Sequence, residues 1–311
     1  MKSSVTGANG VPISYEESGR PAGEAPTIVL VHGWPDDMSV WDPVIPHLTE
    51  RYHVVNYDPR GSGDSGHPRR VRDYTLDLLC EDFEAVIDAT AGDRPVHVLA
   101  HDWGAIQTWE SAVRIPERFA SFTVVSGPSL DLTGKSLRLL LKQPKRYPGL
   151  IRQALASTYI PFNYLPVLPE LFWRSGLGNK VVYWLVKALE GFERGPFNKE
   201  DGAAQTNLYR ANIFQRLGAP RPEHTRVEVP VQQIVPTKDI FVTDAYHEGL
   251  EDAVPQLRRR EIDGGHWVIV TKPETIAQWT VEFVEEFAGE TAGEVSPARP
   301  AGRNGDGPAS M

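Results

Sequence analysis

A single cysteine, Cys80, is all that the 311 residues contain. No internal disulfide can form, which fits a reducing compartment. Cys80 lies in a stretch of helical periodicity and reads as a small buried apolar residue rather than a nucleophile. Positive charge is also in deficit. Against 41 acidic residues stand 32 basic ones, for a formal charge of −9, which argues against nucleic acid as a partner. Long hydrophobic runs are missing. The apolar stretch Val181 to Leu189 is interrupted by Lys187 and preceded by Lys180, and is too short to span a bilayer. Met1-Lys2 leads into polar residues with no apolar signal core. These absences predict a cytoplasmic protein with no membrane span, and they leave the oligomeric state open.

What is present is alternation. Val11–Glu16, Thr27–Val31, Tyr52–Tyr57, Val96–Ala100 and Phe122–Val125 read as strands, several of them nearly continuous Val, Ile and Leu. Such runs mark strands buried on both faces. Trp41–Glu50, Thr75–Thr90 and Trp103–Val113 read as helices between them. Together they predict an α/β fold with a mostly parallel, doubly wound sheet. From residue 130 to 217 the strand runs stop, and pieces such as Ser136–Leu141 and Lys180–Glu190 carry helical periodicity. Alternation resumes with Val229–Val235, a helix at Asp244–Ala253, Leu257–Ile262 and a helix at Pro273–Phe287. The organisation is therefore a core in residues 1–129 and 218–288, split by a helical cap at 130–217. The Gly-, Ala-, Pro- and Ser-rich residues 289–311 read as a disordered tail or linker.

One motif is a poor guide. Gly61-Ser62-Gly63-Asp64-Ser65-Gly66 matches the G-x-G-x-x-G of dinucleotide sites and follows a strand. That site needs a helix starting at the glycines, so that its N-terminus can hold the pyrophosphate. Here His67-Pro68-Arg69-Arg70 follows, and helical periodicity waits until about Thr75. A turn is the better reading, and a nicotinamide oxidoreductase stays only as a weak rival.

The chemistry concentrates elsewhere. Val96 to His101 runs as a buried strand straight into a helix at Trp103, with Asp102 at the turn and small residues, Ala100 and Gly104, two positions to either side. A sharp strand-to-helix turn of this kind can present a nucleophile, although Asp is also a common helix N-cap. Asp239 follows the strand Val229–Val235, and His266 follows the strand ending at Ile262. The order nucleophile, acid, histidine puts three residues at the carboxyl ends of three strands, where ligands bind in open α/β sheets. Val31-His32-Gly33-Trp34-Pro35 follows another strand. The backbone N–H groups of Trp34 and Trp103 are candidate oxyanion donors, and His32 reads as a residue that fixes the loop.

His32-Gly33-Trp34-Pro35, His101-Asp102-Trp103-Gly104 and Asp263-Gly264-Gly265-His266-Trp267 resemble the epoxide hydrolase and haloalkane dehalogenase branch of the α/β-hydrolase superfamily over roughly residues 5–288. Ala100 departs from the glycine usual at its position. The tail and Asn207-Leu208-Tyr209-Arg210-Ala211-Asn212 also resemble actinobacterial proteins that fuse such a hydrolase to a short-chain dehydrogenase. The resemblance implies an α/β-hydrolase fold with an inserted helical cap, and hydrolysis at a saturated carbon without metal or organic cofactor.

The nucleophile narrows the reaction. A serine attacking saturated carbon would leave an ether, whereas Asp102 leaves an ester that water can cleave. His266 would activate that water, oriented by Asp239. Epoxide opening releases a basic alkoxide and needs an acid, for which the resembling epoxide hydrolases use two cap tyrosines. Tyr209 matches the second of these. Tyr159 matches the first, with Tyr164 as the competitor. Dehalogenases of the branch commonly carry a halide-binding residue such as Asn where Trp34 stands. The expected substrate is a small apolar epoxide, with water as co-substrate. The alternatives are an alkyl halide turned over by the same Asp102 chemistry, or a non-catalytic ligand-binding protein of this fold.

Overall fold

The buried apolar runs do become the centre of a sheet. In the computed structural model, which describes residues 2–243 and 250–291, eight strands form one sheet. They are β1 (Lys2–Thr6), β2 (Pro12–Gly19), β3 (Thr27–Val31), β4 (His53–Tyr57), β5 (Val96–His101), β6 (Phe119–Val125), β7 (Val231–Pro236) and β8 (Leu257–Ile262), in the order β1-β2-β4-β3-β5-β6-β7-β8. Every residue of β3, β4, β5 and β6 is buried. From β4 to β8 all neighbours are parallel, and β1 and β2 close one edge as an antiparallel pair.

Side-chain alternation explains why helices cover both faces. On β3, Val29 and Val31 pack toward Phe83, Val86 and Ile87 of α1 (Leu76–Ala91) and Trp109 of α2 (Trp103–Arg114). Ile28 and Leu30 face the other way, against Trp41, Leu48, Val268 and Ile276. Cys80 is buried in α1 as expected, and burial pushes its thiol up to about 11.

Seven α-helices lie between β6 and β7: α3 (Leu130–Leu140), α4 (Tyr147–Ala156), α5 (Tyr159–Asn163), α6 (Leu168–Arg174), α7 (Leu177–Leu189), α8 (Lys199–Ala204) and α9 (Thr206–Gly218). This is the helical stretch expected at 130–217. Its base packs on the core where Ile160, Leu208, Tyr209 and Ile213 meet Trp103 and Ile106. Polar ties fasten it further. Buried Arg216 hydrogen-bonds Asp131 and Glu110, with His224 beside them, and the Asn212 amide bridges Tyr74 O and Leu76 N. Glu110, Asp131 and His224 would resemble a metal-ligand set by spacing alone, but the Arg216 guanidinium already bonds all three. After β8 come α10 (Val268–Thr271) and α11 (Pro273–Thr291).

Some expectations need correction. Trp41–Glu50 is not an α-helix but two short 3₁₀ turns, Met38–Trp41 and Ile45–His47. Pro46 lacks the N–H that a continuous helix would bond to Asp42 O, and its ring would crowd that carbonyl. β1 pairs with β2 although its mostly polar, exposed residues gave no apolar signal. Of the helix expected at Asp244–Ala253, residues 250–253 form a turn and the rest lies outside the described residues. α11 runs to Thr291, past the expected start of the tail, and residues 292–311 lie outside the described residues.

Candidate active site

The sheet order creates a crevice. β4 lies on one side of β3 and β5 on the other, so the loops leaving β3 and β5 diverge at a topological switch point. The residues after β3 are His32 to Pro35, and the residue after β5 is Asp102. Asp102 has φ 53° and ψ −124°, a region that costs a non-glycine residue about 1–3 kcal/mol. Its side chain makes no capping bond to α2, so the helix-cap reading does not account for it. Close approach of backbone explains the neighbouring glycines. A Cβ on Gly104 would stand 2.2 Å from Val31 O, and one on Gly33 would stand 2.3 Å from Asp102 Oδ1 and 2.4 Å from Trp103 N.

The Asp102 carboxylate is engaged from two sides. Trp34 N donates to Oδ1 at 2.9 Å, and His266 Nε2 stands 3.5 Å from Oδ2. The Nδ1 of His266 bonds Asp239 Oδ2 at 3.0 Å, while Asp239 Oδ1 accepts from Phe241 N and Val242 N at 2.8 and 3.0 Å. Burial opposes charge on both residues. It is outweighed in each case by the opposite charge of the other, so His266 is raised well above the usual imidazole range and Asp239 is lowered. Asp102 adds to the rise at His266.

Asp102 opens on a cavity of about 280 Å³ whose wall also includes Trp34, Tyr159, Trp173, Tyr209, Phe241 and His266. Tyr209 is buried, with ring centroids 4.9 Å from Trp103, 5.4 Å from Trp34 and 5.8 Å from Tyr159. Burial raises its hydroxyl pKa well above the ordinary value, and Tyr159 and the Asp102 charge raise it further. The Asn207–Asn212 segment places it. Arg210 pairs with Glu170 and bonds the carbonyls of Asn163 and Leu165, while Asn212 fastens the next turn to the core. Tyr164, the competitor to Tyr159, points its hydroxyl at Tyr209 O, 2.7 Å away, so it supports the α9 backbone.

His32 bonds Asp58 at 3.2 Å and Gly33 O at 3.0 Å, which suits a loop-fixing residue. Pro35 is buried, with a cis bond to Trp34. The glycine-rich turn after β4 is filled by the chain itself: Gly63 N donates to Asp201, Asp64 N to Asp58 and Gly61 N to Gly66 O. No helix begins there; α1 starts at Leu76.

Three residues around the site escaped sequence reading. Glu190, after α7, accepts His266 N–H at 2.7 Å and fills the space that a Cβ on Gly265 would take, 2.3 Å from its Cδ. His101 bonds His266 O at 2.9 Å, and burial with the nearby His266 charge lowers it to about 4. Asp36 accepts Trp267 Nε1 at 2.7 Å and pairs with Arg194 of the cap. His101 and Asp36 adjoin the motifs, but their partners lie far off in sequence. Glu190 sat in an otherwise ordinary helical run.

The family profile described as alpha/beta hydrolase fold matches residues 26–273. The chain belongs to this family. Among curated proteins, this hydrolase-fold chain is 34% identical, over 98% of its length, to "Probable oxidoreductase EphD" of Mycobacterium tuberculosis, and it spans 54% of that protein. It is 23% identical to "Epoxide hydrolase 3" of Mus musculus, covering 91% of this chain and 76% of the relative. A solved Bacillus megaterium epoxide hydrolase superposes with a TM-score of 0.74 at 23% identity, over 90% of this chain and 99% of the other. An epoxide hydrolase from Vigna radiata gives 0.71 at 23%, over 92% and 98%. Within the described residues, no helix is long and apolar enough to cross a membrane.

Proposed function

We propose that the chain hydrolyses epoxides to vicinal diols through an ester on Asp102. In the first step a carboxylate oxygen of Asp102 attacks an oxirane carbon and the C–O bond breaks. The alkoxide takes a proton from Tyr209 or Tyr159; burial keeps the Tyr209 phenol protonated at neutral pH, ready to donate. The product of this step is an ester whose carbonyl carbon is Asp102 Cγ.

Esterification removes the Asp102 charge. His266, held cationic by two carboxylates, then keeps only Asp239, and its proton affinity falls. Its proton passes to the tyrosinate left by the first step, and neutral His266 becomes the base that deprotonates water. Attack of that water on Cγ puts negative charge on the carbonyl oxygen, beside the N–H groups of Trp34 and Trp103. Collapse expels the diol oxygen, which takes the proton from His266, and the released Asp102 carboxyl then passes its own proton to His266, which restores the starting carboxylate and imidazolium. The steps call on no metal or organic cofactor.

The observation that carries the reading is Tyr159 and Tyr209 sharing one apolar cavity with Asp102. The Trp34 indole N–H favours it over halide release. Trp34 Nε1 donates to Gly202 O at 3.1 Å, and the Trp103 and Tyr209 rings meet edge to face at 4.9 Å. Indole can only donate, so the Trp34 side chain has no N–H left for a halide. The oxidoreductase name attaches to a relative almost twice as long, and the N–H groups of the Gly61–Gly66 turn are engaged by the chain's own acceptors. The test is a His266→Gln variant mixed with an epoxide that the parent enzyme turns over. It should accumulate an ester, read as the epoxide's mass added to the peptide carrying Asp102.

A further inference from the structure

One face of the cap has no part in the chemistry above. Between Asp131 and Glu170 the chain has no acidic residue, but it has Lys135, Arg138, Lys142, Lys145, Arg146 and Arg152, although its formal charge is −9. All six cations are exposed. Among the described residues, Lys135, Lys142, Lys145 and Arg152 pair with no carboxylate. Interleaved with them on α3, α4 and the link between are Leu139, Leu141, Ile151 and Leu155, exposed by 54, 56, 60 and 68%. Leu141, Ile151 and Phe214 of α9 rim an open apolar groove of about 600 Å³. The groove shares Ser157, Ile160, Ile213 and Leu217 with the wall of a small chamber beside Asp102, so this face lies directly behind the candidate site.

Exposed apolar side chains on this scale mark a surface that another phase or partner covers. The charge decides which. Two copies meeting symmetrically through this face would set six cations against six, at a coulombic cost. An anionic bilayer complements both properties at once. Its phosphates face the lysines and arginines, and its interfacial region accepts the leucine and isoleucine side chains. We propose that the α3–α4 face of the cap docks on an anionic lipid bilayer as a peripheral contact. The docking does not depend on which reaction Asp102 performs.

The whole chain is to be sedimented with vesicles of phosphatidylcholine alone and with vesicles enriched in phosphatidylglycerol. Partitioning onto the anionic vesicles only, reversed by added salt, is the expected result. A Lys142→Glu, Lys145→Glu, Arg152→Glu variant should bind about tenfold more weakly or worse, and so should an Ile151→Asp, Leu155→Asp variant. Circular dichroism unchanged from the parent establishes that each variant is folded. The proposal is overturned by absence of binding to either vesicle, or by equal binding to both. It is also overturned if the chain dimerises through this face, so that Ile151→Asp, Leu155→Asp restores a monomer and vesicles do not compete.

Discussion

His266 Nε2 faces Asp102 Oδ2 across 3.5 Å, on the carboxylate oxygen opposite the one that Trp34 N–H holds. The gap is long for a hydrogen bond, so the two groups interact chiefly through charge. Asp102→Asn keeps the shape and an acceptor for Trp34 N–H but removes the nucleophile. Diol formation should fall by roughly 10⁴-fold or more, with thermal unfolding close to that of the parent. A variant retaining more than a tenth of the activity would remove Asp102 from the chemistry.

Tyr209 and Tyr159 divide the work of one acid. Either Tyr→Phe change alone should slow ester formation by about 10–100-fold, and the double change by about 10⁴-fold, the range of positioned proton donors. Stopped-flow quenching of the Trp34 and Trp103 fluorescence offers a readout of the first step. Equal loss for Tyr164→Phe would show that supporting the α9 backbone, not proton donation, is what matters.

The pH dependence has a defined sign. Asp239 and Asp102 both hold the His266 proton, and only neutral His266 can deprotonate water. Ester hydrolysis should therefore rise with pH through an ionisation lower than that of His266 in the free enzyme. Asp239→Asn should move that ionisation lower still, while the rate itself falls because the ring loses its orienting partner. Single-turnover kinetics across pH measure both effects, and an upward shift in the variant would contradict the assignment.

Glu190 tests whether the cap positions the base. Glu190→Gln keeps an oxygen acceptor for His266 N–H and should leave kcat within about threefold. Glu190→Ala orphans a buried N–H, at a cost of about 1–3 kcal/mol, and should lower both kcat and the melting temperature. Identical behaviour of the two variants would mean that charge, not the hydrogen bond, is what Glu190 supplies.

Long-range partnership is what separated the legible parts from the rest. The central strands were readable because burial on both faces leaves continuous Val, Ile and Leu. Asp102, Asp239 and His266 stood out as candidates because each follows a strand, in the order nucleophile, acid, histidine. β1 was not, since its pairing with β2 satisfies backbone groups while its side chains stay polar and exposed. The turns at Met38–Trp41 and Ile45–His47 misled because their apolar residues have helical spacing, which Pro46 overrides. Tyr159 could not be separated from Tyr164 by sequence. Five residues apart, one turns toward the cavity and the other toward the Tyr209 carbonyl, and only packing decides that. Glu190, His101 and Asp36 act through partners at least 70 residues away or on another element, and no local pattern encodes such contacts.

The central claim is that oxygen from Asp102, not from bulk water, enters the diol in the first turnover. Enzyme in excess over epoxide, mixed in heavy-oxygen water and quenched after one turnover, measures this directly. The account predicts an unlabelled diol with the heavy oxygen on the Asp102 carboxylate. A labelled diol with Asp102 unlabelled would mean that water attacks the epoxide itself, and would contradict the account.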